Sequence, residues 1–423
     1  MSENQVGKMK KICLISHCFD PIFAGYAKQG SRVARAVADR GIYDFVIVTR
    51  KFEQLPGKDR VNGFTVIRIG SPILDNISPQ LGYLAFIIFL AWHLLFNARK
   101  YCILHCLSGF APAGVAGILG KLFNLPTIIK IAQGEVRPRS SFQQKLRLNL
   151  WLLPASLADC FIVLSPESKE FLRAAAIPDF KIKHFTNGVD VNIFRQVEDQ
   201  NQKNILRRKL NIRECSILVL YVGLIHPRKG IDLLLDAWEN ISRTIDQAFL
   251  LLIGPKGNTF KTSPCDDNTN LYQRSISERL NRKILQNTTE WRDQTPNINE
   301  YMMAADVFVL PSFAEGQPNV LLEAMASGLA CIATDLSGIK DFIASPDHGT
   351  IVKQGSADAL GKALSEMINK YPEVRRKMGR LSRKEIVKNC SIESVAITYE
   401  ELYENLQSRI DGTKHSGNIQ LKS

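Results

Sequence analysis

The stretch PSFAEGQPNVLLEAMASGLACIAT, residues 311–334, decides how this chain is read. The apolar run DVFVL, 306–310, precedes it and reads as a strand buried on both faces, as in a parallel sheet. Residues 311–317 form a loop. A helix starts near Pro318, a residue suited to a first helical turn, and Gly328 closes it at the usual C-terminal position. Residues 330–334 read as the next buried strand. This spacing sets Glu315 in the loop beside Gly316, and Glu323 in the helix one turn beyond Asn319. The amides at Asn319 and Val320, with Leu321 in the same turn, and the positive helix end suit a phosphate. A carboxylate one turn further in can accept two hydrogen bonds from ribose hydroxyls, and the loop carboxylate can reach a sugar on that phosphate. The plain alternative is a solvated glutamate pair on an ordinary α/β crossover. The strand, glycine, proline and helix around the pair argue against it.

The chain has 423 residues, enough for two domains that each bury a full core, and 45% hydrophobic with 22% charged content is ordinary for a globular protein. Its formal charge of +13 is uneven. Residues 1–190 hold 24 Lys+Arg against 13 Asp+Glu, or +11, and the remainder 30 against 28, or +2. A basic first half can face nucleic acid, an anionic membrane or anionic substrates. No finger spacing or basic heptad region occurs, so no nucleic-acid partner is expected. The nine cysteines (13, 18, 102, 106, 160, 215, 265, 331, 390) form no CxxC pair and read as buried reduced thiols of a cytoplasmic protein. MSENQVGKMKK at the start lacks the apolar centre of a secretory signal. The run LGYLAFIIFLAWHLLF, 81–96, followed by NARK, is too short for a span and is either a core helix or a surface anchor; its basic flank favours the anchor.

Strands at 12–16, 45–49, 65–69, 103–105, 127–131 and 160–164 alternate with helical stretches such as 31–40, which argues a doubly wound parallel sheet. Residues 197–209 are polar and suit a linker. The pattern restarts with strands at 216–222, 249–253 and 307–310 around a helix at 231–242. Residues 257–300 read as an irregular insertion. A last helix spans 391–407, with Ser391 as its cap and Glu393 in its first turn.

Residues 315–323 resemble the Glu-x7-Glu motif of the retaining, nucleotide-sugar-dependent glycosyltransferases of family 4. KICLISHCFDP, 11–21, is similar to that family's first strand, YVGLIHPRKGID, 221–232, to its donor-phosphate loop, and NGVD, 187–190, with Phe194 to its interdomain signature. The resemblance implies an α/β chain of two facing Rossmann-like doubly wound domains, the GT-B fold, with a cleft between them. The expected divisions are an acceptor-side domain at 1–195 joined by a returning helix at 391–409, a donor-nucleotide domain at 196–390, and a disordered tail at 410–423. It also implies a retaining, metal-independent hexosyltransferase with no cofactor. A nucleotide-diphosphate sugar is its co-substrate, and its acceptor is a saccharide or a lipid-linked saccharide in cell-surface polysaccharide or glycolipid synthesis. The basic first half and the apolar run 81–96 add an anionic membrane surface as an expected partner, with the enzyme cytoplasmic or peripheral on the inner face. A sugar-nucleotide epimerase of the same fold, or a non-catalytic membrane-associated relative, are the alternatives.

Within that frame the loop from Gly223 to Gly230 lies at the carboxyl edge of a sheet, where ligands bind. Lys229 and Arg228 there neutralise a donor diphosphate; relatives carry arginine where this chain has Leu224, and Arg228 stands in. Two cations at a helix start are unfavourable unless an anion arrives. Gly25 is the one glycine left where relatives often have two, and its backbone can approach a donor phosphate or an acceptor. Gln133 and Gly134 occupy a position where relatives carry His-Gly, with Lys130, Glu135 and His226 as further cleft residues. His17 and His105 are expected to be packed. Asp266 and Asp267 read as a solvated pair, so no metal site is expected. Glu315 would hold the donor sugar and Glu323 the ribose.

Overall fold

The computed structural model describes residues 9–22, 24–131, 152–213, 217–243, 248–257 and 267–419. The chain divides into two units, Met1–Thr186 with Glu393–Ser423, and Asn187–Ile392. The crossings therefore lie at 186/187 and 392/393, against 195/196 and 390/391 expected from the sequence.

In the first unit, strands β1 (Lys10–Ser16), β2 (Tyr43–Arg50), β3 (Lys58–Val61), β4 (Phe64–Ile69), β5 (Ile103–Cys106), β6 (Thr127–Lys130), β7 (Cys160–Val163) and β8 (Ile182–His184) form one sheet. Its order is β3-β4-β2-β1-β5-β6-β7-β8, and every pairing is parallel except the short hairpin of β3 with β4. The helix Pro79–Asn97 lays Phe86, Leu90 and Leu94, all at 0% exposure, into the core built on Val46, Val48, Leu104 and Cys106. The last helix belongs to this unit. Its Tyr399 and Tyr403 pack on Phe45, Phe185 and His105.

The second unit holds β9 (Ile217–Val222), β10 (Ala248–Ile253), β11 (Thr289–Arg292), β12 (Val307–Leu310), β13 (Ala330–Thr334) and β14 (Thr350–Val352). They are all parallel, in the order β11-β10-β9-β12-β13-β14. Alternate residues feed two cores. Val219, Tyr221, Val307 and Val309 face one, and Leu218, Leu220, Phe308 and Leu310 the other. This explains the near-continuous apolar strands, since helices cover both faces.

Three expectations need correction. The polar stretch 197–209 is no linker: Gln200–Lys209 is helical, capped by Asp199, which accepts from the Asn201 amide at 3.0 Å. Its inward anchor is ionic, so no apolar period marks it. Residues 257–300, expected to be irregular, contain the helix Asp267–Leu280, strand β11 and the helix Ile298–Ala304. The first of these buries Thr269, Gln273 and Ile276, mostly polar side chains, which hides it from a hydrophobicity reading. The last helix continues to Ile419 instead of giving way to a tail at 410. Once Tyr399 and Tyr403 hold one end against the core, extension adds a hydrogen bond per residue at little cost.

Asp306 shows what the polar helix does. Its carboxylate meets Lys203 at 3.0 Å and Arg207 at 2.6 Å, and accepts from the Leu218 amide at 2.9 Å. It thereby ties this helix to β9 and the start of β12. Burial alone would raise its pKa, but Lys203, Arg207 and the Leu218 amide outweigh that and hold it below the usual aspartate value. Replacing Asp306 by Ala should cost the second unit about 3–5 kcal/mol, because two nearly buried cations lose their partner. Because the folded pKa is depressed, this stabilisation is present above the unfolded pKa and fades as pH falls through the folded one. Urea unfolding across an acid pH series should show wild type and Asp306→Ala converging toward low pH. A constant gap would reject the ionic account.

Candidate active site

The second sheet reverses its winding between β9 and β12, which are hydrogen-bonded neighbours. The loops leaving their carboxyl ends therefore rise side by side at a topological switch point, where open α/β sheets bind ligands. After β9 come Gly223 to His226, a short 3₁₀ turn at Pro227–Lys229, Gly230 and the helix Ile231–Ile241. After β12 come residues 311–318 and the helix Asn319–Ala326.

The two loops are joined directly. The Phe313 amide donates to the Arg228 carbonyl at 2.8 Å. Gly230 sits at φ +66°, and a Cβ there would run into the Pro311 carbonyl, so this crossing needs glycine. Lys229 Nζ contacts Glu315 Oε1, with both side chains largely buried. Ser312 Oγ donates to the same oxygen at 2.7 Å, and Thr334 Oγ1 donates to the Ser312 carbonyl at 2.6 Å. Burial, with the neighbouring Glu315 carboxylate adding to it, holds the Tyr221 hydroxyl far above its usual range. Next along the loop, Gln317 Oε1 accepts from the Asn187 amide and its carbonyl accepts from Asn187 Nδ2 at 3.2 Å. Beneath it, a Cβ on Gly338 would collide with the Gly316 carbonyl. Glu315 is thus held by side chain and backbone from four separate segments.

Glu323 is a second buried carboxylate, 7% exposed, in the first turns of the helix Asn319–Ala326. No side chain caps that helix; its N-cap is Pro318. Asn319 and Val320 are half-buried at its start. Leu321 has its side chain fully buried in the core and its amide donates to the Pro318 carbonyl at 3.0 Å, so any part it takes in donor binding is through the backbone. Arg228 is exposed beside Lys229. His226 Nδ1 accepts from the Arg228 amide at 3.0 Å and so caps the 3₁₀ turn. The Leu224 carbonyl accepts from Tyr221 at 3.1 Å, beside Gly223.

In the first unit, Gly25 opens the helix Gly25–Ala38, and among the described residues an added Cβ would meet nothing within 4 Å. Lys130 ends β6 buried, with burial lowering its pKa to about 8. His105 and His17 are packed. His105 Nδ1 meets the Tyr403 hydroxyl at 2.9 Å, and burial with Lys130 lowers its pKa to about 3. His17 lies among the rings of Phe52, Tyr83 and Phe86, lowered to about 4 by burial and Arg50. Gln133, Gly134, Glu135 and Asp266 lie outside the described residues, as does the side chain of Asp267. Among the described residues, cysteines 13, 18, 102, 106, 160, 331 and 390 are in the thiol form, outside any disulfide. Among the described residues no three His, Cys, Asp or Glu side chains gather as metal ligands would.

Sequence reading missed Ser312, Gln317, Thr334 and Gly338. Small and neutral, they carry no signal of their own; only their places beside a loop glutamate or after the next strand pointed to them. Gly338→Ala should destabilise the second unit by about 1–3 kcal/mol, since the added methyl must displace the Gly316 carbonyl. Unchanged urea unfolding would mean that the loop yields freely and is not braced there.

Two family models match, glycosyl transferases group 1 over residues 202–385 and the glycosyl transferase 4-like domain over residues 24–188. The UDP-Gal:alpha-D-GlcNAc-diphosphoundecaprenol alpha-1,3-galactosyltransferase of Escherichia coli is 25% identical over 315 residues, 73% of this chain and 76% of its own. A putative teichuronic acid biosynthesis glycosyltransferase of Bacillus subtilis is 22% identical over 316 residues, 74% of this chain and 68% of its own. Among solved structures, sucrose-phosphate synthase from Thermosynechococcus elongatus matches 95% of this chain and all of its own, with TM-score 0.77 at 24% identity. Anabaena HepE in complex with UDP and glucose matches 94% of this chain and all of its own, with TM-score 0.74 at 17% identity. With one model on each unit and the GT-B fold across both, the chain belongs to the group 1, family 4 glycosyltransferases.

Proposed function

We propose that the protein transfers a hexose from a nucleotide-diphosphate sugar, with retention of configuration and without a metal ion, to a saccharide or lipid-linked saccharide acceptor. The observation that carries this reading is the contact of Lys229 with Glu315 across two neighbouring loops. An ammonium has three donors. One meets Glu315, and the others can meet a diphosphate held between Lys229, Arg228 and the start of the helix Asn319–Ala326. On this reading the donor sugar lies against Glu315, whose carboxylate accepts from its hydroxyls, and the ribose at Glu323, one turn into the helix.

In the step, the bond from the anomeric carbon to the phosphate oxygen breaks with its electron pair leaving on the diphosphate. Lys229, Arg228 and the helix start stabilise that charge. The acceptor hydroxyl attacks the oxocarbenium-like carbon from the same face, and its proton passes to the departing phosphate. The relative that acts on a diphosphoundecaprenol-linked sugar and the putative teichuronic acid biosynthesis glycosyltransferase support a lipid-linked or polysaccharide acceptor for this chain. Buried reduced thiols support a cytoplasmic setting, on the inner membrane face where such an acceptor is reached.

The two glutamates separate by assay. Glu323→Ala should lose nucleoside diphosphate affinity by about 1.5–3 kcal/mol, the range for a hydrogen bond to a charged acceptor. Calorimetry with UDP, GDP and ADP reads this, and unchanged affinity would remove Glu323 from the ribose.

Glu315→Ala should cut turnover while leaving free nucleoside diphosphate affinity nearly intact. An equal loss for nucleoside diphosphate and sugar nucleotide would reject its sugar contact. Transfer should also persist in a chelator; activity lost there and restored by Mn²⁺ or Mg²⁺ would overturn the metal-free mechanism.

A further inference from the structure

The helix Pro79–Asn97 is apolar all round, yet only one side of it has a partner in the core. Gly82, Phe86, Leu90 and Leu94 form the buried stripe, at the i, i+4 spacing of one helix face. On the other side Leu84, Ile88, Trp92 and Phe96 are 54%, 50%, 58% and 71% exposed. Trp92 and Phe96 stack with ring centroids 5.3 Å apart. The neighbouring helix Ala111–Phe123 adds Ile118 and Leu122, 48% and 66% exposed. The one clearly polar side chain of the run, His93, turns away to the Tyr101 hydroxyl at 2.9 Å. A contiguous apolar face of this kind is costly in water and marks a surface that something covers.

Charge identifies the cover. Residues 76–134 contain no Asp or Glu. Exposed Arg99, Lys100 and Lys121 stand at the C-terminal ends of these two helices. Both helices run back to neighbouring parallel strands, β5 and β6, so their basic ends share one side of the unit. Asp159, which accepts from the Thr127 amide at 2.8 Å beside Gly120, is a carboxylate at this end of the sheet, so a second copy would set three cations per chain mainly against their own equivalents. An anionic headgroup layer answers all of them while acyl chains take the aromatic stripe. Pro79–Lys100 is long and apolar enough to cross a bilayer. Spanning would strip Phe86, Leu90 and Leu94 from the core, however, so the helix lies in the plane of the surface.

Resting on the membrane-borne acceptor reading above, we propose that this face seats the first unit in an anionic bilayer, with Leu84, Ile88, Trp92 and Phe96 among the acyl chains and Arg99, Lys100 and Lys121 at the headgroups. The test is flotation of the full chain with phosphatidylcholine vesicles, with and without phosphatidylglycerol. Wild type should float with the anionic vesicles, and less so as salt rises from about 0.05 M to about 0.5 M. The triple variant Ile88→Ser, Trp92→Ser, Phe96→Ser should bind at least about tenfold more weakly, because three apolar side chains leave the lipid. All three positions are exposed, so circular dichroism and UDP, GDP or ADP binding should stay as in wild type. Brominated acyl chains should quench wild-type tryptophan emission and quench Trp92→Phe less. The proposal falls if wild type stays down at low salt, or if the triple variant floats equally well. It falls too if lipid-free wild type is a dimer that the triple variant dissolves, since a second copy then owns the face. Failed flotation with nucleotide binding intact would leave the transferase reading standing. Absent nucleotide binding with intact flotation would remove that reading and keep the membrane seat.

Discussion

Everything at the candidate site follows from the pairing of β9 with β12 in the second unit. Because the sheet winds outward in both directions from that pair, the loops after the two strands have no other strand between them. They are forced into contact, and the contact is made by charge. Lys229 brings a cation from one loop and Glu315 a carboxylate from the other. An ion pair this buried is a poor source of stability, since desolvation offsets most of its attraction. Its value is geometric: the cation that can meet a diphosphate and the carboxylate that can meet a sugar are held at a fixed separation by each other.

The bracing around Glu315 serves the same end. Ser312, Thr334, Gln317 with Asn187, and the backbone over Gly338 hold the loop from different directions. Asn187 is the first residue of the second unit, and two residues on Val189 exchanges backbone hydrogen bonds with Cys390 and Ile392 where the chain leaves it again. The two crossing segments are therefore knitted to each other, and one of them to the glutamate loop. A shift in the crossing segments would be felt two residues from Glu315. Loose loops make imprecise sites, and this loop is fixed by partners that take no part in the chemistry.

The sequence made the apolar strands, Glu315, Glu323 and the basic loop legible because each carries a period, a charge or a glycine. It hid whatever is built from polar side chains facing inward. The helix Gln200–Lys209 looked like a linker because its anchor is the charged trio of Lys203, Arg207 and Asp306 in place of a stripe of leucines. The helix Asp267–Leu280 vanished for the same reason, with Thr269 and Gln273 on its buried side. Leu321 shows a different limit. Its place in the helix start suggested a ligand, but at 0% exposure it belongs to the core face. A spacing argument can find which turn meets a ligand and still not say which face each residue of that turn takes.

The helix Pro79–Asn97 posed a choice between core and anchor in which the sequence leaned to the anchor on its basic flank alone, because an unbroken apolar run has no face to read. The fold gives one side of the helix to the core and leaves the other exposed. Phe86, Leu90 and Leu94 belong to the core of the first unit, and Leu84, Ile88, Trp92 and Phe96 do not. A pure core helix would place polar residues on the outer side, where they cost nothing and favour solubility. A spanning helix could not keep 33% of its most apolar window inside a protein core and still be surrounded by lipid. Only a helix shared between the protein and an apolar surface needs to be greasy on both sides. The chain also excludes carboxylates from 76 to 134, and that asymmetry serves neither packing nor solubility. It is what the anionic surface proposed above would require.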